Sequence, residues 1–413
     1  MRIALLNQPW SRVTVPIQKA DSVAIWTYEV ARRLAERHEV AVYSRRFPGL
    51  PRIEVHEGVR YQRVDIEQPL ASVQKVVQRM RVQPVGAASG VYGIGYVLQL
   101  ACELANSDYD VVHLHNLSQY APVLRRLLPK SALVLHMHCE WLSQIGRRSA
   151  EARLGRVDRV LGCSEYVRER VATRFPELSA RCGVVHNGVD LSVFGRGHSL
   201  ESPPHDGGTI LFVGRISPEK GIHDLLDAFA RLLNSRPRAE LRIVGPYEPT
   251  PLDYIVGLSQ DPSVRALSRF YPGNYLEQLK ARVGQDVLRR VQFVGELDRA
   301  QLAEEYRRAD VLVNPSLSEA FGMSLDEAMA AGVPVVATWV GGMSYVVEEG
   351  KDGILVPPAA PEALERAIAR LLQDEELRGA LVERGRRLVS ERFTWGSISE
   401  QTSAEYAHTL ENQ

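Results

Sequence analysis

What the chain lacks narrows it first. Only six of its 50 basic residues are lysines, a bias that reads as genome composition, and one that argues against Schiff-base chemistry. Four cysteines, Cys102, Cys139, Cys163 and Cys182, stand apart with no Cys-x-x-Cys spacing. They read as reduced thiols, not as a disulfide framework or a zinc site. No run of 18 apolar residues occurs, so no membrane-spanning helix is expected. The residues after Met1 pass directly into a strand-like IALL (3–6) and then Asn7, Gln8 and Pro9, without the regions of a secretory leader. A cytoplasmic location is expected, with peripheral contact at the inner membrane face left open. No Asp-x-Asp pair stands at a strand end, where it would hold a divalent ion. Neither a cofactor nor a nucleic-acid partner is expected, and the oligomeric state is not legible.

What is present points to two domains. The chain has 413 residues, 45% hydrophobic and 24% charged; that length predicts two cores of about 200 residues each. Its net charge is zero but uneven: residues 1–190 hold 26 Lys and Arg against 18 Asp and Glu, the remainder 24 against 32. The surplus reads either as solvated surface or as attraction to an anionic membrane or acceptor. A candidate membrane-touching helix is LASVQKVVQRMRV (70–82), apolar at Val73, Val76, Val77 and Met80 and basic at Lys75, Arg79 and Arg81, although a helix packed on its own core is the commoner case.

Short apolar strands alternate with amphipathic helices through the first half: IALL, VAVY (40–43), DVVHLH (110–115), ALVLHMH (132–138) and RVLGC (159–163), with a helix at 24–37 between the first two. Such alternation predicts a doubly wound parallel sheet. Residues 191–208 lose all periodicity and crowd Gly, Pro, Ser and His, as interdomain linkers do. A second series then runs through TILFVGR, LRIVG, VQFVG, DVLVNP and PVVAT. The expected domains are 1–190, the linker 191–208, a second domain at 209–392, and a tail at 393–413. The segment 247–286 is long for a connection between neighbouring strands, and part of it reads as an insertion lining a cleft or an oligomer interface.

The stretch PSLSEAFGMSLDEAMAAG (315–332) carries the most chemistry. Glu319 and Glu327 are separated by seven residues in a strand–loop–helix context, with Gly332 and Pro334 closing the helix. Ligands sit at the carboxyl ends of strands in open α/β sheets, and a helix N-terminus suits a phosphate. Glu319 is placed to accept hydrogen bonds from sugar hydroxyls and Glu327 from a ribose diol. In GRISPEKG (214–221), Arg215 and Lys220 stand beside another helix start, a cationic pair suited to a pyrophosphate. His113 with His115, and His136 with His138, form two His-x-His pairs on strands. Each pair puts both rings on one face; a metal is conceivable there, but no third ligand at a familiar spacing supports one.

These motifs resemble the retaining glycosyltransferases of family 4. The resemblance extends over essentially the whole chain, through LHMHCE (135–140), CSEYV (163–167), VVHNGVDLSVF (184–194), ILFVGRISPEKGI (210–222), LRIVGP (241–246), EAFGM (319–323), VQFVGEL (291–297) and GILVPP (353–358). It implies the GT-B fold, an α/β architecture of two Rossmann-like domains facing a central cleft, with the last helix returning to the first domain. It implies a nucleotide diphosphate sugar as donor, held by Gly214, Arg215, Lys220, Glu319, Ala320, Phe321, Gly322, Met323 and Glu327. A hydroxyl of a small-molecule, glycan or lipid-linked acceptor would receive the sugar. His138, Arg215, Lys220 and Glu319 would serve transfer, with the two cations replacing a metal ion at the leaving diphosphate. His115 and Asn116 would shape the acceptor side. Gly341 and Gly342 resemble a glycine loop beside the donor. Asp21 and Ser22 depart from the family, which keeps a glycine pair there; Ser22 is a candidate helix cap, and Asp21 a candidate acceptor contact. Rival readings are a nucleotide-sugar epimerase, a sugar phosphorylase, and a nucleotide-sugar-binding protein without activity.

Overall fold

The computed structural model describes residues 1–65, 93–105, 107–195 and 207–412. The basic stretch 70–82 lies outside the described residues, as does most of the expected linker. The chain forms two compact units, Met1–His186 with Ile398–Gln413, and Asn187–Ser397.

The first unit contains β1 (Arg2–Leu6), β2 (Glu39–Arg45), β3 (Ile53–His56), β4 (Val59–Val64), β5 (Val111–His115), β6 (Ala132–Met137), β7 (Arg159–Gly162) and β8 (Cys182–Val184). They form one sheet in the order β3-β4-β2-β1-β5-β6-β7-β8. Only β3 and β4 pair antiparallel. Strand β1 is central: successive strands add to one side through β2 and to the other through β5. The loops after β1 and β5 therefore diverge and open a crevice at the carboxyl ends. The β3–β4 hairpin was not anticipated from sequence, yet it has a signal: His56 pairs with Val59 across Glu57-Gly58, both at positive φ, the two-residue turn that matches strand twist.

The second unit contains β9 (Thr209–Val213), β10 (Glu240–Val244), β11 (Val291–Gly295), β12 (Val311–Asn314), β13 (Val335–Thr338) and β14 (Ile354–Val356). The order is β11-β10-β9-β12-β13-β14, parallel throughout. Its reversal falls between β9 and β12, the strands that lead into GRISPEKG and the Glu319 loop. Helix Ile222–Leu232 buries Ile222, Leu225, Leu226, Phe229 and Leu232 completely. Each such side chain contributes about 1.5–3 kcal/mol.

The segment 247–286 belongs to this core. Val256, Val264, Leu267, Phe270, Tyr275 and Leu279 join the buried cluster, and the Tyr275 hydroxyl lies 2.8 Å from His223 Nδ1 on helix Ile222–Leu232. An insertion with its own apolar face covers the nearest apolar surface. The division between units falls at Asn187 rather than 191, and at Ile398 rather than 393, because the two strips of chain pair with each other: Val189 N–H donates to Phe393 C=O at 2.7 Å. Helix Trp395–Glu411 then serves the first unit, with Ile398 and Tyr406 fully buried. Among the described residues no helix is long and apolar enough to cross a membrane.

Candidate functional site

In the second unit, β9 ends at Val213, and Gly214 leads to Arg215 at the surface, where it makes no ion pair among the described residues. The chain passes through Ser217 to a short 3-10 turn, Pro218–Lys220. Glu219 is 1% exposed and acts as a brace. Its carboxylate accepts hydrogen bonds from the hydroxyls of Ser217 and Thr250, and its carbonyl accepts from Leu317 N–H at 2.7 Å. That last bond ties the loop after β9 to the loop after β12. Gly221 sits at φ +66°, and a Cβ there would meet the Pro315 carbonyl at 2.0 Å. The two loops touch because this residue is glycine. As a result Lys220 Nζ reaches Glu319 Oε2 at 2.6 Å, with both side chains largely shielded.

The Glu319 loop is clamped from its other side. Gly342 N–H donates to the Glu319 carbonyl at 3.0 Å, and a Cβ on Gly341 or Gly342 would meet the carbonyls of Glu319 and Ala320 at 1.9 and 2.0 Å. The glycine pair is therefore a backbone clamp on Glu319-Ala320-Phe321. Phe321 is buried, its ring 5.7 Å from that of Phe393. Gly322, at φ +104°, turns the chain into helix Met323–Ala331, whose first amides have no partner within the helix.

Glu327, one turn in, accepts from the Tyr306 hydroxyl at 2.7 Å. Burial pushes its carboxyl up to about 7, opposed by that hydrogen bond and by Arg299. Its neighbour Asp326 is 1% exposed with neither oxygen hydrogen-bonded among the described residues; burial, reinforced by Glu327, pushes its carboxyl well above the usual carboxylate range. Sequence reasoning missed Tyr306, Glu219 and Asp326. Glu219 was readable only as a helix-start acid, and nothing local links Tyr306 to Glu327.

In the first unit, the candidate residues gather at the carboxyl ends of β5 and β6. The Asn116 side-chain carbonyl accepts the His138 backbone N–H at 2.6 Å, and His115 Nδ1 lies 3.0 Å from His138 Nε2. His113, His115 and His136 are fully buried, and all three are driven well below the ordinary imidazole range by burial and by one another. The indole of Trp26 packs on all four rings at 5.0–6.0 Å between centroids. Candidate ligand nitrogens of His113, His115 and His136 lie within 4.8 Å of one another. A metal needs nitrogens about 2.0–2.1 Å from it, and His115 has none to offer in this arrangement: one faces Thr27 Oγ1 at 3.2 Å and the other His138.

The start of helix Ser22–Leu34 differs from expectation. Asp21, not Ser22, is the cap. Its Oδ1 accepts from Val23 N–H, Ala24 N–H and the Ser11 hydroxyl at 3.0, 3.1 and 3.0 Å. A carboxylate outcompetes a hydroxyl at a helix N-terminus because the exposed amides attract negative charge. Ser22 is the first helical residue and is exposed.

Comparison with known proteins adds three findings. The family model for glycosyl transferases group 1 matches residues 200–388, and that for glycosyltransferase family 4 matches residues 23–193. The D-inositol 3-phosphate glycosyltransferase of Streptomyces bingchenggensis is 32% identical over 99% of this chain and 90% of that protein. Among solved structures, sucrose-phosphate synthase of Thermosynechococcus elongatus has a TM-score of 0.72 at 24% identity, and HepE of Anabaena in complex with UDP-glucose 0.66 at 20%; each comparison covers all of both chains.

Proposed function

The chain belongs to the group 1, family 4 glycosyltransferases and has their GT-B fold, and from this we propose that it moves a hexose or N-acetylhexosamine, with retention, from a uridine diphosphate sugar to a hydroxyl acceptor. The observation that carries this reading is the Lys220–Glu319 contact at 2.6 Å. It joins a cation suited to a leaving diphosphate to a carboxylate suited to sugar hydroxyls, beside the exposed Arg215 and an open helix N-terminus. Arg215, Lys220 and the helix amides meet the diphosphate charge, so transfer proceeds without a divalent ion there. Glu319 binds the sugar and Glu327 the ribose. Catalysis is then chiefly orientation and electrostatics. The choice of uridine draws on the UDP-glucose complex of HepE, and retention follows from the family. By the family resemblance, His138, with His115 and Asn116 beside it, is assigned to the reacting sugar and the acceptor. The basic surplus of residues 1–190 and the inositol phosphate acted on by the Streptomyces relative favour an anionic acceptor.

The test is a thermal-shift and turnover screen with uridine, guanosine and adenosine diphosphate sugars. A donor at about 100 times its dissociation constant stabilises by roughly 2.7 kcal/mol. The expected result is the largest shift with a uridine donor, slow donor hydrolysis that persists in EDTA, and loss of hydrolysis in Glu319→Ala. Activity abolished by EDTA and restored by magnesium would overturn the assignment of Arg215 and Lys220. Isomerised donor recovered without acceptor would favour an epimerase instead.

A further inference from the structure

The hydrogen bonds behind His138 fix where its ring proton sits. The chain of reasoning starts at a backbone carbonyl, which only accepts. Thr27 Oγ1 lies 2.7 Å from the carbonyl of Val23, one turn earlier in helix Ser22–Leu34, a common arrangement for a helical threonine. Two oxygens at that distance need a proton between them, and Thr27 supplies its only one. Toward every other neighbour Thr27 is therefore an acceptor. One of these is the Asn7 side-chain amide, Nδ2 to Oγ1 at 3.1 Å; its orientation is set because Asn7 Oδ1 accepts Gln8 N–H at 2.7 Å. The other is His115 Nε2, at 3.2 Å, which must carry a hydrogen.

His115 is fully buried, as is Thr27, and neighbouring imidazoles add to burial in keeping it neutral. A neutral imidazole protonated at Nε2 has a lone pair at Nδ1. His138 Nε2, 3.0 Å from that lone pair, is then the donor. Turning the His115 ring over would set carbon against both Thr27 and His138 and lose both bonds. The Trp26 indole, edge-on to His115 at 5.1 Å, packs against the ring as it stands.

We propose that Thr27 and His115 are positioning residues that hold His138 with its proton at Nε2, so that Nδ1, buried in this structure, serves transfer as a hydrogen-bond acceptor. The proposal rests on the reading of His138 as a substrate contact. It assigns a task to two buried residues, and it gives His138 a direction: Nε2 donates to His115 and Nδ1 is left as an acceptor.

The first measurement needs no variant. Long-range proton–nitrogen correlation on the full chain labelled with ¹⁵N-histidine reports which nitrogen of each imidazole is protonated, His138 being identified by its loss in His138→Gln. The expected spectrum has His138 protonated at Nε2 and bare at Nδ1. A proton on Nδ1 would overturn the proposal outright. The second measurement uses Thr27→Val, which keeps the shape and removes the acceptor. The His115 proton is then expected to move to Nδ1 and that of His138 to follow, with kcat falling about tenfold, the scale of one hydrogen bond lost to an unsatisfied partner, while KM for the donor holds. Thr27→Ser should restore both tautomer and rate. A His138 tautomer unmoved in Thr27→Val, or a moved tautomer with native kcat, would refute the positioning role. Full turnover in His138→Gln would instead sink the underlying reading of His138, an outcome separate from the tautomer itself.

Discussion

The two units present opposite chemistry at their strand ends. In the second unit the groups are charged and in part exposed: Arg215, Lys220 and Glu319, with Glu327 poised near neutrality. In the first unit they are imidazoles around one indole: His113, His115 and His136 are fully buried and shifted well below the ordinary imidazole range, with the partly buried His138 beside them, and the group is tied by hydrogen bonds to Thr27, Tyr406 and the Val185 carbonyl. Charge suits a ligand that brings charge of its own and leaves with more, as a diphosphate does. A neutral network suits the orientation of uncharged hydroxyls, because it fixes donors and acceptors without paying the desolvation of an ion. If this contrast is real, changes in the second unit should act through charge, and changes in the first through geometry.

The largest expected effect tests the charged side. Lys220→Met should lower transfer roughly 10²–10³-fold, the scale of one lost electrostatic contact to a developing anion. Arg215→Met should cost less, because Lys220→Met also strips Glu319 of its partner. Initial rates at saturating donor decide it, and equal losses would argue against the pairing as the key contact. Next in size is the division between the carboxylates. Glu327→Ala should weaken binding of free nucleoside diphosphate by about 1.5–3 kcal/mol, whereas Glu319→Ala should leave that binding nearly unchanged and lower turnover. Calorimetric titration giving the same loss for both would dissolve the distinction.

The third prediction is the pH dependence of Glu327. Its carboxyl is raised from 4.5 to about 7, so the empty site is substantially protonated at neutral pH. On the proposed role of Glu327 the ionised form would accept the two ribose hydroxyls, and affinity for an intact nucleotide sugar should therefore rise as pH passes upward through about 7. Glu327→Gln should flatten that rise. Folding runs the other way: a carboxyl raised on folding contributes stability present below 4.5 and lost as pH climbs through about 7. Glu327→Gln should remove that slope from melting curves. The smallest effect is expected in the first unit. Asp21→Ala removes a helix cap and should cost about 1 kcal/mol of stability, leaving donor affinity unchanged; a changed donor affinity would return Asp21 to the substrate.

Much of this was legible from sequence, and the remainder was not for identifiable reasons. Strands buried on both faces, such as TILFV and ALVLHM, announce themselves as apolar runs, and glycines at loop ends mark the turns that follow. Glu319 and Glu327 were readable because a strand, a glycine and a capped helix bracket them. The bond between Tyr306 and Glu327 was not, since it joins two helices through tertiary packing. Likewise the Thr27–His115 contact spans 88 positions and depends on strand order, which periodicity does not encode. The cap at Asp21 was misassigned to Ser22 by one residue, a shift that only backbone angles resolve: Asp21 is extended while Ser22 has already entered the helix. The packing of the segment 247–286 on the core was not legible because its apolar residues are scattered among polar ones and collect on one face only after folding.

The last helix has a consequence for the order of synthesis. Tyr406 donates to or accepts from His113 at 2.8 Å, Arg159 pairs with Glu405 at 2.7 Å, and His38 Nε2 lies 3.3 Å from the Ser403 hydroxyl. Unit one thus draws on residues that a ribosome adds after every residue of unit two. While the nascent chain emerges, His113 and its neighbours lack the phenol that shields them, and the second unit has its complete set of strands before the first has its complete set of helices. At translation speeds of about 5–20 residues per second, that leaves an interval on the order of ten seconds or more between the emergence of Met1–His186 and the arrival of the helix that closes over it.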